Sequence, residues 1–145
     1  MKIRQSFEQA VCILLLVGVS EDHIKSHELS QRLHLSDSYL KKITRQLVVA
    51  GFIESKATKK GGFRLNKELD QITLLDIFEV IEGQEGFITT THLVEKVFTD
   101  STQVTNTEDL ILNYLNNAEK QYKDKLKEIT LQDIVNIAHK TKNGY

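Results

Sequence analysis

Positively charged side chains are concentrated between residues 37 and 64 of this 145-residue chain. The segment holds seven Lys and Arg residues against Asp37 and Glu54, so its charge balance is 7 − 2 = +5. Clustered lysines and arginines favour a polyanionic partner, because phosphate contacts supply most of the sequence-independent affinity for nucleic acid. The predicted chemistry is therefore recognition of the phosphates and base edges of double-stranded DNA.

Part of this charge lies on one face of a predicted helix. Arginine bound to guanine is the commonest specific base contact, so Arg45 and Gln46 are the predicted base readers. Ser36 and Ser38 stand at the helix start, where hydroxyls and backbone N–H groups suit a phosphate or a base edge. The predicted outward residues are Ser38, Tyr39, Lys41, Lys42, Arg45 and Gln46. The predicted buried face is formed by Leu40, Ile43, Leu47 and Val48, at i, i+3, i+7 and i+8.

The rest of the charge surrounds a glycine pair in "KATKKGGFRL", residues 56–65. Glycine takes positive φ at low steric cost, so a tight reversal is predicted between the apolar residues on either side. The segment is therefore predicted to be a β-hairpin with a basic tip, which holds DNA phosphates. Its candidate DNA-binding residues are Lys56, Lys59, Lys60, Gly61, Gly62 and Arg64.

Three helices are predicted to position these groups. The first is an apolar helix over residues 6–17, and the second is a short helix that begins with Ser26 as its N-cap. Residues 34–36 form a turn, after which Ser36 caps the third helix and Gly51 ends it. Two short helices joined by such a turn and followed by a hairpin are the parts of a winged helix-turn-helix. The predicted fold class is mainly α with a small β-hairpin wing.

The second half of the chain differs in charge and pattern. Residues 1–64 hold 11 basic and 6 acidic residues, a balance of +5, whereas residues 65–145 hold 8 and 14, a balance of −6. A long helix is predicted over residues 107–126, with one narrow apolar seam that favours a twofold dimer. The alternative is that the seam packs on its own domain. The predicted dimer-interface residues are Ile111, Leu115, Ala118, Tyr122 and Leu126.

Two near-copies, "ITLLDI" (72–77) and "ITLQDI" (129–134), flank this helix. Each places an aspartate three residues after a threonine, which is the pattern of a shortened capping box. We interpret both as helix starts rather than as a duplicated functional site.

Other chemistry has little support in the sequence. "HELSQ" (27–31) lacks the second histidine of a zinc-protease motif, and neither a nucleophile elbow nor a phosphate-binding loop motif occurs. Cys12 lies in an apolar helix, where a thiol is usually inert, although a redox role is left open. The apolar run at 10–19 is too short to span a bilayer and lacks a cleavage site, so a buried helix is preferred to a signal peptide. We expect a protein of the reducing cytoplasm that is not an enzyme and has no metal site or cofactor.

Four segments together resemble one known family. These are "MKIRQSFEQAVCILLLV", "ELSQRLHLSDSYLKKITRQLVVAGFIES", the wing "GGFRL" and "ITLLDIFEVIEG", which follow one another over residues 1–83. They are similar to the Rrf-two (Rrf2) family of bacterial winged-helix transcriptional regulators, the group of IscR-, NsrR- and CymR-like proteins. The resemblance implies a homodimer built on a long C-terminal helix, which binds a palindromic operator. It also implies a recognition helix that includes Ser38, Tyr39, Lys41, Lys42 and Arg45, and a wing that includes Gly61, Gly62 and Arg64.

One departure from the family pattern concerns cofactors. Iron–sulfur members carry three cysteines between the fourth helix and the dimer helix, whereas residues 83–108 contain none here. Thiolates are the usual cluster ligands, so the resemblance is to the cluster-free members. A smaller departure is Gln9, where many members have an aromatic residue.

We therefore expect a cytoplasmic, homodimeric DNA-binding regulator, acting as a repressor, with an activating role left open. Residues 1–83 would form the winged helix-turn-helix domain, and residues 84–145 the linker and the helical dimerisation region. Two alternatives keep this fold without direct DNA binding, namely a protein-interaction module or a small-molecule sensor. A regulatory protein partner is also open. No constellation pointing to a ligand is recognised in residues 84–106.

Overall fold

The computed structural model describes residues 4–98 and 101–142. The elements run in the order helix-helix-helix, hairpin, then four further helices, with one turn of 3₁₀ helix at Leu69–Gln71. The helices are α1 Gln5–Gly18, α2 Ser26–Leu33, α3 Asp37–Val49, α4 Leu74–Glu82, α5 Leu93–Val97, α6 Ser101–Lys127 and α7 Leu131–Lys142; the strands are β1 Ile53–Lys56 and β2 Gly62–Leu65. The predicted fold class, mainly α with a small hairpin wing, is confirmed.

The first helix is the centre of the hydrophobic core. Its residues Ala10, Ile13, Leu14 and Val17 are buried, and α1 packs against α2, α3, α4, β2 and α7. Among the described helices, none combines the length and apolar character needed to cross a membrane. The apolar run of the first helix is thus explained by burial from several sides.

One residue of the third helix lies elsewhere than predicted. Val48 is 38% exposed, whereas Thr44 is only 3% exposed and its hydroxyl donates to the Leu40 carbonyl oxygen over 3.0 Å. At about 100° per residue, Thr44 lies about 40° from Leu40 around the helix, but Val48 lies about 80° away. Thr44 is therefore nearer to the centre of the buried face, and its polar group is satisfied by the backbone.

The connection between α2 and α3 sets the start of α3. The first helix of this pair has Lys25 as its N-cap, so the prediction of Ser26 in that role was wrong by one residue. His34 then adopts a left-handed conformation, with φ of 53°, and turns the chain. The Ser36 hydroxyl accepts a hydrogen bond from the Tyr39 N–H over 3.3 Å, which confirms the predicted cap of α3.

The hairpin is antiparallel, and Glu54 faces Arg64 across it. Its sharp reversal is the turn closed by the Gly61 N–H on the Thr58 carbonyl oxygen over 2.7 Å. The glycine pair therefore lies at the return strand and not at the tip, where the sequence analysis placed it. On this return strand, Phe63 exchanges two backbone hydrogen bonds, of 2.7 and 3.0 Å, with Ile24, which lies outside the hairpin.

The second half of the chain packs against the first half. Both near-copies begin helices, because Thr73 caps α4 with Asp76 and Thr130 makes the corresponding bonds with Asp133. α6 begins at Ser101, earlier than predicted, and packs on α4. α7 packs on α1, and its Leu131 is fully buried in the main core.

Candidate nucleic-acid interface

The outward face of α3 is a solvent-facing basic surface. Five of its six predicted residues are exposed, and Gln46 is half-buried. A shallow depression on this face is lined by Ser38, Lys41, Lys42, Arg45, Gln46 and Val49. Among the ion pairs of the described residues, none involves the three basic side chains of this face, so their charges are available to a partner.

The N-terminus of α3 presents its hydroxyls to solvent. Ser36 and Ser38 are both exposed, and their Oγ atoms lie 3.4 Å apart. Since the Ser36 oxygen accepts from the backbone of its own helix, that hydroxyl interacts with a ligand mainly as a donor. A phosphate oxygen, which only accepts, suits this arrangement.

A second cleft adjoins the same helix and includes a residue that the sequence analysis missed. Tyr39, Lys42 and Gln46, at i, i+3 and i+7, line it together with Arg4 and neighbouring residues of α1 and α4. Arg4 is largely exposed, and its Nε lies 3.1 Å from Glu82 Oε2. A basic residue just before α1 was visible in the sequence, but its position beside α3 depends on a contact between distant segments.

Basic residues of the hairpin divide into free and paired groups. Lys56, Lys59 and Lys60 are exposed and take part in none of the ion pairs found within residues 4–98 and 101–142. Arg64, in contrast, is hydrogen-bonded and ion-paired with Glu54 on the facing strand. We therefore expect the three lysines to contribute more to phosphate binding than Arg64.

The two glycines of the wing, which stay predicted DNA-binding residues, lie where the backbone packs too closely for a β-carbon. A β-carbon on Gly61 would lie 1.8 Å from the Lys56 carbonyl oxygen, and one on Gly62 would lie 2.5 Å from that of Ile24. Gly62 also has φ of 141°, which other residues rarely adopt. A larger residue at Gly61 would force the hairpin open, and one at Gly62 would push β2 away from Ile24.

The predicted seam of α6 is partly exposed and partly covered by its own chain. Ile111, Leu115 and Ala118 are exposed, whereas Leu126 is half-buried. Tyr122 packs edge-on against the rings of Phe78 and Phe87, with centroid separations of 5.8 and 5.9 Å. Two exposed apolar residues that were not predicted, Leu110 and Tyr114, extend the free part of the seam, which we call the α6 apolar patch: Leu110, Ile111, Tyr114 and Leu115.

Cys12 lies in a position that disfavours thiol chemistry. It is half-buried in α1, and burial, assisted by the negative charge of Glu8, raises the pKa of its thiol. The reactive form of cysteine is the thiolate, so this environment keeps the residue in its less reactive form.

Comparison with known proteins identifies the family. Residues 3–137 match the model of the family described as "Rrf2: Iron-dependent Transcriptional regulator". The chain belongs to the Rrf2 family. The resemblance drawn from the sequence is thereby confirmed.

Curated relatives match a part of the chain. A protein of Bacillus subtilis named as an HTH-type transcriptional regulator, YwgB, is 43% identical over 100 residues, which are 68% of this chain and 64% of that protein. A Lactococcus lactis protein named in the same way, YffB, is 43% identical over 86 residues, or 58% of this chain and 55% of that protein. The match thus spans less than two thirds of the length of either relative.

Solved structures share the fold over nearly the whole chain. CymR, the global cysteine regulator of Bacillus subtilis, superimposes with a TM-score of 0.73 at 23% identity, over 94% of this chain and 98% of its own. IscR of T. potens superimposes with a TM-score of 0.69 at 23% identity, over 95% of this chain and 88% of IscR. At this identity the likeness shows the winged-helix fold of Rrf2 regulators.

The family description raises the question of an iron cofactor. Cysteine thiolates are the usual ligands of iron–sulfur clusters, and the chain has a single cysteine, Cys12, which is half-buried in α1. One half-buried thiol with a raised pKa does not fit a cysteine-ligated cluster. The residues of this chain therefore do not support that cofactor.

Proposed function

We propose that this Rrf2 protein is a sequence-specific DNA-binding transcriptional regulator and not an enzyme, and that it works in the cytoplasm. The observation that carries the proposal is the exposed basic face of α3, which stands in a helix-turn-helix next to a hairpin with three exposed lysines. The relatives named as transcriptional regulators support it. Residues 1–83 would then be the DNA-binding domain.

In the proposed complex, α3 lies in the major groove. Arg45 and Gln46 read base edges, and Ser36, Ser38, Lys41 and Lys42 hold the helix in register on the phosphates. Lys56, Lys59 and Lys60 contact phosphates flanking the groove. Because phosphate contacts carry no sequence information, discrimination between operators depends on α3.

We further propose that the protein is a homodimer built on α6. The α6 apolar patch leaves four large side chains 43–70% exposed on one stretch of helix, and a self-complementary contact between two copies would bury them. A twofold dimer presents two copies of α3 to a palindromic operator. Occupation of that operator would exclude RNA polymerase, so the protein would act as a repressor. A signal or regulatory protein that changes the dimer geometry would change the spacing between the two copies of α3, which must match the half-sites of the operator.

The decisive experiment is selection of bound sequences from random duplexes, followed by affinity measurements at several salt concentrations. We expect one palindromic motif, and an affinity for it that falls steeply as salt rises. Failure to enrich any sequence, or a DNA affinity that does not change with salt, would instead support a protein-interaction module. Sedimentation of a Tyr114→Lys variant tests the dimer, which we expect to dissociate while α-helical content is kept.

A further inference from the structure

Three potential metal ligands meet where α5 touches α6. His92 Nδ1 lies 3.0 Å from Glu108 Oε1 and 3.9 Å from Glu95 Oε1, and one ligand atom from each residue lies within 4.8 Å of the other two. Ligand atoms about 2.1 Å from one metal ion are about 3.0–3.4 Å apart in octahedral or tetrahedral coordination. The 3.0 Å separation of His92 from Glu108 falls in this range, whereas the 3.9 Å separation of His92 from Glu95 is longer. The exposed Glu95 side chain would have to rotate towards the other two for all three atoms to reach one ion.

The central ligand is a carboxylate that water barely reaches. Glu108 is only 8% exposed, and its Oε1 accepts a hydrogen bond from the Thr90 hydroxyl over 2.9 Å. Within the described residues, the ion-pair partner of Glu108 is His92, whose imidazole is charged only when it is protonated. A buried carboxylate is costly unless a positive charge compensates it.

Glu119 shows how the same helix compensates a buried carboxylate without a metal. It is also 8% exposed, and it lies three helical turns after Glu108 on the same side of α6. The ammonium group of Lys123 lies 2.9 Å from its Oε1, and the backbone N–H groups of Phe87 and Ile88 donate to its Oε2. Glu108 has a hydroxyl and an imidazole in place of this permanent cation.

We propose that His92, Glu95 and Glu108 form a binding site for one divalent transition-metal cation. One imidazole and two carboxylates are hard to borderline ligands, which suit Zn²⁺, Fe²⁺ or Mn²⁺. Water supplies the remaining coordination positions. The site goes beyond the proposed DNA binding and differs from our expectation that the chain has no metal site.

The Thr90 hydroxyl holds two of the three ligand residues in place. The Thr90 hydroxyl donates to Glu108 and accepts from the backbone N–H of His92 over 3.1 Å, so one side chain connects both ligands. Such outer contacts orient metal ligands. A bound cation therefore ties α5 to the first half of α6.

Residue spacing offers only a partial signal for this site. His92 and Glu95 are three residues apart and lie on one side of a helical turn, but the third ligand follows 16 residues after the histidine. Only the packing of α5 on α6 brings Glu108 to them.

The test is titration of the chelator-treated full-length protein with Zn²⁺, Mn²⁺ and, without oxygen, Fe²⁺, followed by calorimetry and by thermal melting. We expect one ion per chain and a higher melting temperature in its presence. His92→Ala and Glu108→Gln should each weaken binding by a factor of about 10 to 100 and abolish the melting shift. The Gln variant keeps an acceptor for Thr90, so its fold is expected to survive, as circular dichroism would show.

Two matched variants separate this site from adventitious binding. Asp109→Asn removes the neighbouring negative charge on α6, and His27→Ala removes an exposed histidine of α2. Both should bind metal as the wild type does. The proposal would be overturned by any of three results. These are an equal loss of metal affinity in all four variants, no metal binding by the wild type, or unchanged metal binding in His92→Ala and Glu108→Gln.

Discussion

Thr73 and Thr130 lie opposite each other in an isolated antiparallel bridge, although they are 57 positions apart in the sequence. The Leu74 N–H donates to the Ile129 carbonyl oxygen, and the Leu131 N–H donates to that of Ile72, both over 2.9 Å. The two near-copies therefore pair with each other in a locally twofold arrangement. This pairing fixes the end of α6 and the start of α7 to the winged-helix core.

Removing either threonine cap should destabilise the protein. The hydroxyl of Thr73 accepts from the Asp76 N–H and that of Thr130 accepts from the Asp133 N–H, both over 3.1 Å. Loss of a helix N-cap costs about 1 kcal/mol, so Thr73→Ala and Thr130→Ala should each lower the free energy of unfolding by about that amount. Urea denaturation measures the change.

Serine variants at the same positions serve as controls. Thr73→Ser and Thr130→Ser keep the capping hydroxyl and should stay within about 0.5 kcal/mol of the wild type. If serine and alanine variants lost stability equally, capping would not be the role of these residues.

Local patterns predicted the start of α3 well. Ser36 followed by Asp37 is a strong N-cap signal, and the structure places the cap there. The same kind of signal misplaced the start of α2 by one residue, since Ser26 lies inside the helix. Spacing alone also assigned Val48 to the buried face, although Thr44 takes that position by bonding its hydroxyl to the backbone.

Contacts between distant segments were beyond the reach of periodicity. A single apolar seam on α6 does not reveal its partner, and Tyr122 turned out to pack on Phe78 and Phe87. The cluster of His92 with Glu108 depends likewise on how α5 packs on α6. The candidate DNA-binding residues were accessible to sequence reasoning because helix and hairpin are local structures.

Gly61→Ala should damage the wing without removing any charge. The new β-carbon would lie 1.8 Å from a backbone oxygen, which cannot move without opening the hairpin. We expect a loss of about 1–3 kcal/mol in stability and weaker binding to all DNA sequences. Melting temperature and DNA affinity together measure these effects.

Gly51→Ala is the comparison variant. Gly51 also has positive φ, of 78°, but a β-carbon there would meet nothing within 4 Å. It should lower stability by about 1–2 kcal/mol through backbone strain and leave the wing intact. A Gly61→Ala protein with full DNA affinity would contradict the steric role of this glycine.

The basic residues of α3 and the wing should differ in what they contribute to DNA binding. Arg45→Ala should cost about 1–3 kcal/mol on the selected operator and blur base preference, because it removes the proposed base contact. Lys59→Ala and Lys60→Ala should weaken binding to specific and random DNA alike. Each should reduce the slope of log affinity against log salt concentration by about 1. Fluorescence anisotropy on both kinds of duplex measures these effects.

Lys127→Ala provides the control for net charge, because this exposed lysine lies at the far end of α6. It should leave both affinities nearly unchanged. Identical behaviour of Arg45→Ala and Lys60→Ala on specific and random duplexes would show that the assigned roles are wrong.

Acid should weaken the attachment of residues 86–88 to α6. The pKa of the Glu119 carboxyl lies below its ordinary value of 4.5, mainly because Lys123 donates a hydrogen bond to the carboxylate. The backbone N–H groups of Ile88 and Phe87 lower this pKa further. A carboxyl with a lowered pKa in the folded state contributes stability that is fully present above the ordinary value. That contribution is lost as pH falls through the folded-state pKa.

Glu119→Gln should therefore be less stable than the wild type at pH 7, by about 1–3 kcal/mol. The difference should shrink as pH falls below 4.5, the ordinary value of the carboxyl pKa, because the wild-type carboxyl then becomes neutral as well. Asp133, whose pKa is also lowered, chiefly by the backbone N–H of Thr130, is present in both proteins and cancels from the comparison. Urea denaturation of both proteins between pH 7 and pH 3 measures the difference, and a constant gap across that range would mean that the charge of Glu119 does not stabilise the fold.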